Sequence, residues 1–226
     1  MKKRTEHNSI TSGLDRHCVV GATASRRAVL GGALVAGAAL AVPARAFASA
    51  SPLTPNQRRV LDLAKDQMDR AGDVLWRRDI AGIADFGVHS SVPRFHFANV
   101  EAGTVRSFLV AHGTGSDPEH DGWLNNFSNT PGSNATSRGA YVTYEWYKGR
   151  YGTSIRLGGL DQDNSNALPR YIVAHSANYA TRAHVERWGR LGRSNGCFAM
   201  DPADFNEALW NLSGGRLLYA DRLGIS

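Results

Sequence analysis

Cysteine is nearly absent from this chain of 226 residues, with Cys18 and Cys197 the only two. Cys18 lies ahead of an N-terminal apolar run that reads as removable, so the body of the chain carries one thiol and no internal disulfide can form in it. A long hydrophobic run is also missing: residues 28–42 are apolar but short, and too rich in alanine and glycine for a stable membrane span. A charge excess is missing from the body as well. Of 26 basic and 20 acidic residues, seven basic and two acidic ones fall in the first fifty, leaving 19 against 18. The sequence pI of about 9.6 therefore describes the N-terminus, and nucleic acid is excluded as a partner. No His-Glu-x-x-His stretch occurs, so His112, His120 and Asp121 lack the helical pairing of a zinc peptidase. The glycines at Gly113 and Gly115 lack the Lys-Ser/Thr ending of a phosphate loop. No metal and no cofactor is expected.

What is present starts with an export signal. Arg26-Arg27 ahead of the mildly apolar run reads as a twin-arginine signal, with cleavage sites at Ala44-Arg45-Ala46 or Ala48-Ser49-Ala50. The expected organisation is a signal over residues 1–50, a helical segment over 51–79 and one catalytic domain over 80–226, delivered to the periplasm. A hydrophobic content of 42% supports one core, and the sequence assigns no oligomeric state.

Thr54 and Pro55 open a helix whose apolar residues Val60, Leu61, Ala64 and Met68 recur at helical spacing until Gly72. A strand is then predicted over 80–86, followed by two hairpins: 94–100 with 104–111, where Phe95 and Phe97 alternate, and the aromatic-rich 139–147 with 151–157. Residues 117–137 form a long polar loop, a candidate binding surface. A short strand over 170–174 ends in His175-Ser176, and a loop over 177–193 leads to Cys197. Asp201 caps a helix that Gly214-Gly215 stops, and 216–220 is a last strand.

The chemistry gathers at Arg190-Leu191-Gly192-Arg193-Ser194-Asn195-Gly196-Cys197. A glycine before the thiol permits a tight turn in which the amides of Asn195, Gly196 and Cys197 face one oxygen. Arg190 and Arg193 are positioned to favour the thiolate. A histidine at a strand end, here His175, can act as its base, and the order His before Cys argues against papain-like peptidases. A buried, inert cysteine in a tight turn is the alternative.

Together, His175-Ser176, Arg193-Ser194 with Gly196-Cys197, His112-Gly113 with Gly115-Ser116, and Phe127-Ser128-Asn129 resemble the L,D-transpeptidases of the YkuD type, in their divergent murein L,D-transpeptidase branch. The resemblance implies a mainly β fold, a sandwich or partly closed barrel of about eight strands with a few flanking helices. It implies that Cys197 is the acyl-accepting nucleophile, His175 its base, Ser176 the residue orienting the imidazole, and Gly196 and Asn195 part of the oxyanion site. His112, Arg193, Ser194, Arg190 and Tyr141 are the expected substrate contacts, although the aromatic residues around Tyr141 read by themselves as core. The implied substrate is the peptidoglycan stem peptide, giving diaminopimelate-diaminopimelate (3,3) or L-alanine-diaminopimelate (1,3) links. Trimming by water and a catalytically inactive wall-binding module are the alternatives. Two departures stand out: the family's usual histidine is Asn195 here, and its arginine two positions after the cysteine is Ala199.

Overall fold

A computed structural model describes residues 52–150 and 152–225. The expected signal lies outside the described residues. Helix α1 (Pro55–Ala71) begins as its sequence predicts: the Thr54 hydroxyl accepts from the Gln57 amide, the Gln57 side chain returns the bond, and Pro55 fills the first position. Its stripe of Val60, Leu61, Ala64 and Met68 packs on Ala81, Ile83, Ala98, Val142 and Leu217 of the sheet. Among the described residues no helix is long and apolar enough to cross a membrane.

Eight strands form one sheet: β1 (Ile80–Asp85), β2 (Phe95–Asn99), β3 (Thr104–Phe108), β4 (Gly139–Gly149), β5 (Gly152–Gly159), β6 (Val173–Ser176), β7 (Phe198–Met200) and β8 (Leu217–Asp221). Their order is β3-β2-β1-β8-β4-β5-β6-β7. The pairs β1–β8 and β6–β7 are parallel and the others antiparallel. The chain leaving β3 at one edge reaches β7 at the other, where the Ala111 amide donates to the Ala199 carbonyl at 2.8 Å. The sheet is therefore a nearly closed barrel, the second of the two shapes expected. Phe86, Phe95, Phe97, Phe108, Ile155, Leu157 and Phe198 fill its interior, and α3 (Pro202–Leu212) adds Phe205, Ala208 and Leu212. Burying each of the largest of these contributes about 1.5–3 kcal/mol.

Two local expectations are corrected. Arg170 and Tyr171 are not strand but the end of a turn, with Tyr171 left-handed at φ 55°. Strand β6 therefore starts at Val173, and it ends in His175-Ser176 as expected. The segment expected as a loop up to Arg193 contains a helix, α2 (Arg182–Trp188), which Thr181 caps by accepting from the His184 amide and which Gly189 ends in the left-handed region. The loop around residues 117–137 is pinned. Arg170 donates to the carbonyls of Ser128 and Ala135 and to the hydroxyls of Ser133 and Ser137.

Candidate active site

The ladder that ends in β6 and β7 sets the site. Ala174 stands opposite Phe198 and both face the core, so Val173 and His175 emerge on the other face. On that face His175 has Ser154 of β5 on one side and Ala199 of β7 on the other, and Val173 has the exposed Arg156 beside it. Cys197 lies one residue ahead of β7, in the bend where the β6–β7 ladder begins. Its thiol meets the Tyr171 carbonyl at 3.7 Å and the Val173 amide, which places it one pleat along β6 from His175. Both groups are nearly covered, Cys197 at 6% exposed and His175 at 3%.

The imidazole has a defined orientation. His175 Nδ1 lies 2.9 Å from the Ser176 carbonyl, which only accepts, so Nδ1 carries the proton and Nε2 the lone pair in the neutral ring. Burial holds His175 below the ordinary histidine value. Burial also pushes the Cys197 thiol up, against the opposing pull of the Val173 amide and the Arg170 charge. The resting pair is thus a neutral thiol beside a neutral imidazole.

The expectation that Arg190 and Arg193 supply the cation at the thiol is not what the structure holds. Arg193 donates to the carbonyls of Asp117 and Pro118, and half-buried Arg190 donates to the Trp188 carbonyl at 3.4 Å. The cation acting on the thiol is Arg170, which the sequence reading left within a strand.

The remaining expected residues separate into three groups. Ser194 organises the bend: its hydroxyl donates to the Cys197 carbonyl at 2.7 Å and accepts from the Gly196 amide at 3.1 Å. That bond commits the Gly196 amide, so the expected row of three amides facing one oxygen is not present in this geometry. Gly196 has φ 108°, and a Cβ there would stand 2.7 Å from the Ala135 carbonyl, which explains the glycine. Asn195 is exposed at the crest of the bend. Tyr141 is corrected from a substrate contact to a core residue: it is wholly buried, its hydroxyl donates to the Ser137 carbonyl at 2.7 Å, and burial raises its pKa.

His112 is corrected in the same way. It is 1% exposed and both ring nitrogens are engaged. Arg94 can only donate, so His112 Nδ1 accepts from it at 2.8 Å and Nε2–H donates to Asp117 at 3.2 Å. Arg94 is fully buried and also donates to the carbonyls of Val88 and Val110. Burial pulls its guanidinium down to about 9, which leaves it charged at neutral pH. Burial, and then the Arg94 charge, pushes His112 down to about 3. Burial alone would raise Asp117, but the amides of Asp121 and Gly122 and the His112 bond outweigh it and hold the carboxyl low.

The consequence is a pH dependence of stability. His112 binds a proton in the unfolded chain below about 6.5 and in the folded one only near 3. Stability therefore rises with pH across that window and is lost as pH falls through it. Urea unfolding is expected to show about 2 kcal/mol less stability at pH 5 than at pH 7 from this one group. Equal stability at the two values would contradict it.

Glycines join the three segments of the site. A Cβ on Gly113 would stand 2.2 Å from the Asn134 carbonyl and 2.7 Å from the Gly196 amide, and one on Gly115 would stand 1.9 Å from the Ser133 carbonyl. These glycines serve backbone approach, not phosphate. Among the described residues no group of three or more His, Cys, Asp or Glu is arranged to hold a metal ion. A groove of about 480 Å³ lined by Asn125, Asn129, Arg138, Asp163 and Arg222 does not include Cys197 or His175.

The L,D-transpeptidase catalytic domain profile matches residues 56–220, α1 included, and the chain belongs to that family. Similar solved structures include an L,D-transpeptidase from Mycobacterium smegmatis (15% identity, TM-score 0.38, covering 63% of this chain and 58% of that one). Another is L,D-transpeptidase 1 from Mycobacterium tuberculosis (15%, TM-score 0.33, 62% and 60%). A third is the helical cell shape determining protein Pgp2 from Campylobacter jejuni (12%, TM-score 0.41, 70% and 55%). The chain thus spans 55–60% of the length of these three structures. No curated protein matches it.

Proposed function

We propose that the protein is a cysteine L,D-transpeptidase that acts on peptidoglycan stem peptides outside the cytoplasm, exported by its twin-arginine segment. The observation that carries this reading is the His175 imidazole, fixed by the Ser176 carbonyl with its basic nitrogen opposite that bond, one pleat from the lone described cysteine. His175 Nε2 takes the thiol proton as Cys197 Sγ attacks a stem-peptide carbonyl. The C–S bond forms, and the Cys197 amide helps to hold the oxyanion. Collapse breaks the C–N bond, and the imidazolium returns the proton to the departing amine of the D-residue. An amine of a second stem then attacks the thioester, the new amide forms and the thiol is restored. Water in place of that amine trims the stem instead.

A neutral thiol–imidazole pair makes a kinetic prediction. Alkylation of Cys197 by iodoacetamide is expected to keep climbing with pH beyond the ordinary thiol range, because burial raises that pKa. A plateau already reached near pH 5 would mean a preformed thiolate–imidazolium pair and contradict the neutral resting state. The function itself is tested by incubating the full chain with purified muropeptides and reading products by mass spectrometry. Dimers support transpeptidation, and their fragmentation separates 3,3 from 1,3 links. Shortened stems alone indicate the trimming reaction, and no product of either kind contradicts the proposal.

A further inference from the structure

Tyr171 occupies a position that its side chain does not explain. Its φ of 55° is one of three positive values at non-glycine positions among the described residues, shared with His120 and Asn134. The residue ends a helical turn in which the Tyr171 amide bonds the Leu168 carbonyl and the Ile172 amide bonds the Ala167 carbonyl. A left-handed residue closing such a turn is ordinarily glycine or asparagine, because a Cβ is strained there. Burial of the ring does not offset the strain, since Tyr171 is 80% exposed. Yet the same backbone carries the groups around the thiol: the Tyr171 carbonyl faces Cys197 Sγ at 3.7 Å, and the Val173 amide and Arg170 charge act on it from either side in sequence.

We propose that Tyr171 is a substrate-contacting residue whose exposed ring stands at the rim above the thiol and stacks on the donor peptide, while its left-handed backbone aims its carbonyl at Cys197. The inference rests on the transpeptidase reading above. It deepens that reading by assigning ground-state recognition of the donor to an aromatic face rather than to the family arginine that Ala199 replaces. The ring meets the peptide's flat amide and aliphatic faces, and the carbonyl keeps the resting thiol in place whatever the side chain.

This separates side chain from backbone, and variants can do the same. Tyr171→Gly keeps the carbonyl and relieves the strain, so the melting temperature is expected to hold or rise by up to about 3 °C. Iodoacetamide alkylation of Cys197 should stay within about twofold of the parent rate. The KM for a stem-peptide donor should rise about tenfold with kcat nearly unchanged, the pattern of a lost ground-state contact. Tyr171→Phe, which keeps the ring, should retain the parent KM within about twofold. An unchanged KM in the glycine variant overturns the proposal, as does a phenylalanine variant as impaired as the glycine one. If the parent chain turns over no muropeptide at all, the transpeptidase reading fails first. The alkylation and melting results then still report whether Tyr171 is strained and its carbonyl sufficient for the thiol.

Discussion

Replacing Cys197 with alanine is expected to eliminate product formation from muropeptides, and Cys197→Ser to lower the rate by about 10⁴-fold or more. The loss is this large because each covalent step in the proposed cycle passes through the sulfur, and removing a nucleophile leaves only binding and the oxyanion site. Structure should be barely affected. Sγ meets the Tyr171 carbonyl, at 3.7 Å, and the Val173 amide, while the bend is held by Ser194, whose hydroxyl bonds the Cys197 carbonyl and the Gly196 amide. Steady-state rates together with circular dichroism check both halves. Residual turnover by Cys197→Ala above a few per cent would show that the thiol is not the nucleophile.

Gly113→Ala should have the next largest effect, about a 100-fold fall in kcat/KM. A Cβ at this position meets two backbone groups, the Asn134 carbonyl at 2.2 Å and the Gly196 amide at 2.7 Å, and neither can swing aside like a flexible side chain. The bend carrying Cys197 must move, and displacement of a reacting group by about 1 Å can cost about 10²-fold. Gly132→Ala is the control. Unlike Gly113, whose φ is −79°, it has a positive φ, 78°, but a Cβ there meets nothing within 4 Å, so alanine strains the backbone without moving the site. Equal activities for the two alanine variants would contradict the interlock between Gly113 and Gly196.

Much of the scaffold was legible because it is written in local pattern. The Thr54-Pro55 start, the apolar stripe of α1 and the strand patterns of β1 to β5 each depend on neighbours a few residues away. Cys197 and His175 were singled out by order and composition, and the structure places His175 on β6 and Cys197 in the bend just ahead of the neighbouring β7. What was not legible depends on partners far along the chain. Arg94 and Arg170 look in sequence like any surface arginine, and their roles arise only when carbonyls from distant loops converge on them. His112 was expected at the substrate because it leaves the sheet beside glycines, but Arg94, eighteen residues earlier, and Asp117 bury it as a structural group. Tyr141 reads by itself as core, and it is core: only the resemblance made it a substrate contact, and its hydroxyl bonds the Ser137 carbonyl inside the barrel. The short elements α2 and β7 run for seven and three residues, too few for periodicity to register. The cap at Thr181 and the stop at Gly189 were nonetheless present in the sequence.

The most direct test is to trap the acyl-enzyme. The full chain is mixed with a stem tetrapeptide donor, quenched in acid and weighed intact, then digested to locate the added mass. The expected result is a mass gain equal to the donor less the whole amine it releases, a free amino acid if the bond to the last residue is cut, carried on the peptide that contains Cys197 and absent from Cys197→Ala. Product formed with no such adduct, or an adduct on any other residue, would contradict a Cys197 thioester.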